Sequence, residues 1–261
     1  MPSIDGPVGP LHHVITGTGE PVTLFVPGLA QSIADTRPFG SAVEGTRVLV
    51  DLRGHGGSAA PKSDDGWSYA GLADDVRAVT DQVGATRALG VSLGAAALVR
   101  LLADEPARFD RVVLALPGPA RGDRDAALLA VSEELADAVA ANDPIATGRG
   151  LVALQPEAAQ GRSDVRLWAR RHAADIGGSA VSEALRQLPR QQVLASLDAL
   201  GNVTASVLVL AQRGDNVHPV EAAEELAAAL PRARLEVSDV PWIWGGRSQL
   251  RATVSGFLNA S

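Results

Sequence analysis

The sequence contains no cysteine. Structural disulfides, thiolate nucleophiles and cysteine-ligated zinc, iron–sulfur or P450-type haem sites are therefore excluded. Lysine is nearly absent as well: 22 arginines stand beside the single Lys62. Schiff-base chemistry rests on that one residue, in a polar Pro-Lys-Ser-Asp-Asp stretch, or on none. Basic charge is in deficit, with 23 Lys+Arg against 30 Asp+Glu and a net charge of −7, which argues against a nucleic-acid partner. Long apolar runs are missing too. The stretch Ala95–Val99 stops at Arg100, whereas a membrane helix needs about 20 residues. The segment Met1–Pro7 has no basic flank followed by an apolar run, so no signal peptide is read there. The expectation is a cytoplasmic protein with no membrane partner. The five histidines show no metal-ligand spacing, and adjacent His12 and His13 on one strand cannot chelate a single ion. No metal and no cofactor is expected.

What is present is ordinary for a globular fold. The 261 residues are 46% hydrophobic and 20% charged, enough for one large α/β domain that needs no covalent staple. Short β-rich runs at Leu11–Thr16, Val22–Val26, Arg47–Asp51, Arg87–Val91, Arg111–Leu116, Ser206–Ala211 and Arg234–Val237 alternate with helix-period segments. The helical patterns cover Tyr69–Val83, Leu93–Asp104, Val220–Leu230 and Arg247–Leu258. Gly17-Thr18-Gly19-Glu20 predicts a hairpin between the first two strands. Near-continuous apolar strands separated by helices predict a mostly parallel sheet covered on both faces. Residues 117–201 carry only Ala-rich helical patterns broken at Pro144, Pro156, Gly177-Gly178 and Pro189. That predicts an α/β core of 1–116 and 202–261 with an inserted helical cap at 117–201.

The motif richest in chemistry is Gly90-Val91-Ser92-Leu93-Gly94, placed after a strand and opening a helix. Serine on a sharp strand-to-helix turn has its hydroxyl lifted above the sheet edge, and the flanking glycines relieve the crowding. The Leu93 N–H at the helix start is then available to an oxyanion. With Phe25-Val26-Pro27-Gly28-Leu29-Ala30-Gln31-Ser32, Asp51-Leu52-Arg53-Gly54-His55-Gly56-Gly57-Ser58 and Gly214-Asp215-Asn216-Val217-His218-Pro219, this elbow resembles the α/β-hydrolase superfamily from about Leu11 to Leu258. The resemblance implies Ser92 as nucleophile, Asp215 as triad acid, and the N–H groups of Leu29 and Leu93 as oxyanion hole. On its own spacing, Asp215 also fits an Asx turn or helix cap before Pro219.

Two departures stand out. Pro27 occupies a place where the family usually has histidine. After the last strand, where the family places its catalytic histidine, the chain reads Val240-Pro241-Trp242-Ile243-Trp244-Gly245-Gly246, and no histidine follows His218. The vacant position falls near Pro241. His55 reads as a structural hydrogen-bonding residue of its loop. His218 and His172 are the candidate substitute bases, one beside the acid and one on the cap. Trp242 and Trp244, alternate residues of a segment taken as extended, are candidate pocket-lining residues, with core packing as the alternative. The function expected is hydrolysis of a carbonyl substrate (ester, thioester or lactone, small and apolar) through Ser92 with a weakened or relocated base. The alternative is a non-hydrolytic relative, a cyclase- or lyase-type enzyme or a ligand-binding protein, that has lost the triad.

Overall fold

The structure, a computed structural model, describes residues 3–63, 66–122 and 124–260. Asp64 and Asp65, beside Lys62, lie outside the described residues. Eight strands form one sheet in the order β1-β2-β4-β3-β5-β6-β7-β8, from β1 (Ser3–Gly6), β2 (Gly9–Thr16), β3 (Val22–Val26) and β4 (Thr46–Val50) to β5 (Arg87–Val91), β6 (Arg111–Ala115), β7 (Ser206–Gln212) and β8 (Ala233–Ser238). From β4 through β3 to β8 all pairings are parallel, and β1 and β2 add an antiparallel edge.

The alternation of the strands dictates the layers. Leu24, Val26, Val112, Leu114, Val207 and Val209 point to one face, against helices α2 (Tyr69–Val83), α3 (Leu93–Asp104) and α9 (Val220–Ala229). Their neighbours Phe25, Val113, Leu208 and Leu210 point to the other, against α1 (Ile33–Gly40) and α10 (Arg247–Leu258). Every residue of β3 is buried, as expected of a strand covered on both sides. The predicted mostly parallel, doubly covered sheet is present.

The predicted hairpin is not. β2 pairs with β4, whose other edge pairs with β3, so the Gly17–Glu20 turn joins two strands that are not neighbours. The hairpin that does form is β1–β2, with Gly6 opposite Gly9. Between β6 and β7 the described residues form helices and no strand: α4 (Ala126–Ala140), α5 (Pro144–Ala153), α6 (Glu157–Gln160), α7 (Ser163–Ile176) and α8 (Val181–Gln187), then short 3₁₀ turns. Helices α4, α5, α7 and α8 share a core of their own, built from Leu135, Val139, Leu151, Ala169, Ala173 and Leu185. Ala30, from the loop after β3, is buried in that same core.

Candidate active site

Ser92 follows β5 directly and has φ 50° and ψ −106°, a left-handed conformation that costs an L-residue about 1–3 kcal/mol. The fold holds it there. Its N–H donates to the Ala115 carbonyl of β6 (2.9 Å), and its carbonyl accepts from Ala96 (3.0 Å) in the first turn of α3. The flanking glycines are steric requirements: a Cβ at Gly94 would lie 2.3 Å from the Val26 carbonyl oxygen, and one at Gly90 2.4 Å from the Gly94 carbonyl carbon. The elbow and the loop after β3 are thus in contact, and a Cβ on Gly28 would sit 3.4 Å from the Ser92 Cβ.

That loop is pinned at most of its amides. The Gly28 N–H donates to Gln31 Oε1 (2.9 Å), the Gln31 N–H to the Gly28 carbonyl (3.2 Å), and the Ala30 N–H to His55 Nε2 (3.1 Å). Among the described residues the Leu29 N–H meets no protein acceptor, and Leu29 lines the same cavity as Ser92 and Leu93. His55 Nδ1 donates to the Arg53 carbonyl (2.9 Å), which leaves Nε2 as the acceptor for Ala30. Burial lowers the His55 pKa, outweighing the Arg53 carbonyl and the nearby Asp51 charge, so the ring stays neutral in this role. Asp51 supports the loop from below: its Oδ1 accepts from the Ile33 N–H (2.8 Å), and its Oδ2 from the Gly57 N–H (3.1 Å) and faces His12 Nδ1 (2.7 Å).

Asp215 lies past the end of β7, buried, with Gly214 at φ 71° making the turn. Its Oδ1 accepts the N–H groups of Val217 (3.0 Å) and His218 (3.1 Å), an Asx turn that curls the chain back. Its Oδ2 faces His218 Nδ1 (3.0 Å) and accepts from Gln212 Nε2 (2.7 Å). The other ring nitrogen, His218 Nε2, lies 2.8 Å from Ser92 Oγ. Burial pushes the Asp215 carboxyl up, but the His218 charge and the hydrogen bonds from His218 and Gln212 outweigh it and hold the pKa below its ordinary value. Ser92, His218 and Asp215 form one continuous hydrogen-bonded chain.

The remaining histidines are elsewhere. His172, on α7, lines the cavity, but its Nε2 bonds the Ala30 carbonyl rather than Ser92, and its ring stacks on Trp168 at 5.2 Å. His12 is bound to Asp51, and His13 is buried on β2.

The loop after β8 departs from its expected shape. It is a turn and not an extended segment, since the N–H groups of Gly245 and Gly246 both donate to the Pro241 carbonyl (3.0 Å each). The two tryptophans consequently part. Trp242 does not line the cavity; it is fully buried in the α1/α10 core, its indole N–H on the Ala211 carbonyl (2.8 Å) and its backbone N–H on Gln212 Oε1 (2.9 Å). Trp244 does line it, with its indole N–H on Gln155 Oε1 (2.8 Å) and its ring edge-on to Trp168 at 5.5 Å.

A family model described as alpha/beta hydrolase fold matches residues 21–240. The chain belongs to the α/β-hydrolase fold family. Solved structures agree on the fold. An enol-lactonase from Burkholderia xenovorans LB400 matches with a TM-score of 0.83 and 20% identity over 99% of this chain and 100% of that one. An esterase from Exiguobacterium antarcticum gives 0.82 and 18% over 99% of both chains. Est816, an N-acyl homoserine lactone degrading enzyme, gives 0.72 and 25% over 98% and 100%.

As a member of the α/β-hydrolase fold family, the chain carries an imidazole on its elbow serine without a histidine after β8. Sequence reasoning missed Gln212, which bridges Asp215 and the Trp242 backbone. The signal was available: alternation along β7 puts Gln212 on the face of Leu208 and Leu210, beneath that loop. The cavity over Ser92 measures about 540 Å³ and is walled by Leu29, Leu93, Leu135, Leu154, Leu188 and Trp244 among others.

Proposed function

We propose that this protein is a serine hydrolase acting on the carbonyl of small, largely apolar esters, thioesters or lactones. The observation that carries the reading is His218, with Nε2 at 2.8 Å from Ser92 Oγ and Nδ1 at 3.0 Å from Asp215 Oδ2. A serine hydroxyl is a weak nucleophile until a base takes its proton. In the first step Oγ attacks the substrate carbonyl carbon as its proton passes to His218 Nε2. The imidazolium is stabilised by Asp215, which keeps the Nδ1 proton in place and stays ionised. The carbonyl oxygen becomes an oxyanion, received by the N–H groups of Leu29 and Leu93. Collapse expels the alcohol, thiol or ring oxygen, protonated by His218. Water then repeats the sequence on the acyl-enzyme and frees the acid and Ser92.

Helices α4–α8 act as the cap, closing an apolar chamber over the serine. The non-hydrolytic alternative drew its support from Pro241 in place of a histidine, from Pro27 and from the paired tryptophans, and the contact between His218 and Ser92 speaks against the first of these. The test is initial-rate hydrolysis of p-nitrophenyl acetate, a short acyl thioester and a γ-lactone. Ser92→Ala and His218→Ala are each expected to lower kcat by at least about a thousandfold on the substrates turned over, as for other catalytic units of this kind. Wild-type activity that survives both substitutions would refute the assignment.

A further inference from the structure

The loop that carries the Leu29 amide is held from two sides at one residue. Ala30 has φ 58°, a left-handed conformation that glycine adopts freely and alanine does not. Its N–H is fixed by His55 from the sheet side, and its carbonyl is bonded by His172 Nε2 from α7. The attachment to α7 is itself braced. Trp168, one turn earlier, stacks on His172 and donates its indole N–H to Asp35 Oδ1 (2.9 Å). Asp35 closes the capping box of α1, accepting the Ser32 N–H through Oδ2 (2.9 Å). The stretch from Ala30 to Asp35 is therefore tied to the helical segment at both ends, and Ala30 is buried in the core of that segment.

We infer that His172 is a positioning residue: by holding the Ala30 carbonyl it fixes the Ala30–Gln31 peptide, whose N–H donates to the Gly28 carbonyl (3.2 Å) of the peptide that carries the Leu29 N–H, and with it the aim of that N–H at the oxyanion. The inference rests on the hydrolase reading above. His172 touches neither Ser92 nor the reacting atoms, so its influence passes through the backbone. An oxyanion donor acts only if preorganised, and a displacement of about 1 Å costs up to about a hundredfold in rate. A carbonyl that loses its donor in a strained, left-handed residue has both the freedom and the reason to relax. The loss appears in the transition state, where the oxygen is charged, and not in ground-state binding.

The experiment compares wild type, His172→Phe and His172→Gln, with thermal melts confirming that each is folded. Phenylalanine keeps a ring on Trp168 and removes the donor; glutamine places an N–H donor at nearly the position of Nε2. On p-nitrophenyl acetate, His172→Phe is expected to lower kcat about 10- to 100-fold with KM changed by less than about threefold. Its affinity for phenylboronic acid, which forms a tetrahedral adduct on the serine, should fall by a similar factor. His172→Gln should return kcat to within about threefold of wild type. Should phenylalanine unfold the helix, His172→Met, which fills similar space without a donor, carries the same expectation. A folded donor-less variant with wild-type kcat and boronate affinity overturns the inference, as does a glutamine variant as impaired as phenylalanine. A wild type without Ser92-dependent turnover would instead bring down the hydrolase reading itself, and the two failures are distinguishable.

Discussion

The two carboxylate oxygens of Asp215 divide the work of the turn after β7: Oδ1 takes the backbone N–H groups of Val217 and His218, while Oδ2 faces the His218 ring. The geometry holds the Asx turn on Oδ1 and, on Oδ2, the contact with the His218 ring that the proposed triad-acid role requires. This is also why His218 was hard to single out. The Asp-x-x-His spacing is common to turns that lead into a helix, and only the sheet, bringing β7 two strands from β5, puts the ring over Ser92. The charge on Oδ2 is separable from the turn on Oδ1. In Asp215→Asn, an amide oxygen still caps the turn, but the charge that stabilises the imidazolium is gone. On the proposed mechanism kcat should fall by about 10⁴-fold, the cost seen when such an acid is neutralised. Circular dichroism should show the fold retained; a kcat near wild type would remove Asp215 from the triad.

Among the elements, the parallel strands and helices α2, α3, α9 and α10 were readable because each carries an apolar pattern of the right period; α1, eight residues with Pro38 inside, was not. Helix α3 begins and ends where its pattern predicts, at Leu93 and Asp104. Pairing was not readable. The turn at Gly17–Glu20 signals that the chain reverses but not which strand it returns beside, and β4 inserts between β2 and β3. The four-residue β1, with one apolar side chain in Ser-Ile-Asp-Gly, carries too little pattern to register. The strand-to-helix elbow gives the sharpest prediction at this scale. Gly94→Ala drives a Cβ against the Val26 carbonyl, which belongs to a central strand and cannot yield as a side-chain tip would. Overpacking of this kind costs about 1–3 kcal/mol, and because the same contact spaces the elbow from the loop after β3, on the proposed mechanism kcat should drop further than stability implies. Urea melts run beside kinetics test this; an active, fully stable variant would count against it. For the turn after β8, restoring a histidine is expected to bring no gain. With Trp242 filling the core and His218 already on Ser92, Pro241→His should leave esterase activity within about twofold of wild type.

For the whole molecule the clearest pH signal comes from histidines that fold in their neutral form. His55 and His13 both have pKa values lowered by burial, opposed by backbone carbonyls at Arg53 and Leu11. A depressed folded-state pKa means the unfolded chain binds the proton first as pH falls. Their contribution is thus complete above the ordinary histidine value of about 6.5 and is lost as pH drops through the folded values. Asp215, also depressed, adds a second loss only below the ordinary aspartate range. Thermal melts from pH 8 to pH 5 should show Tm falling on the acid side, starting near pH 6.5, with the slope reduced in His55→Gln. A Tm independent of pH over that range would contradict the neutral-core assignment.

The double hold on Ala30 bears, finally, on how such a protein diverges. If helices α4–α8 were only a roof, recombination could exchange them freely among relatives, changing the chamber while leaving the chemistry alone. Here α7 reaches down to the backbone beside the serine, so a transplanted segment must bring its own donor for the Ala30 carbonyl or arrive with a damaged catalyst. Chimaeras spanning the β6–β7 junctions should accordingly sort by the residue facing that carbonyl, more than by overall similarity of the helices they import.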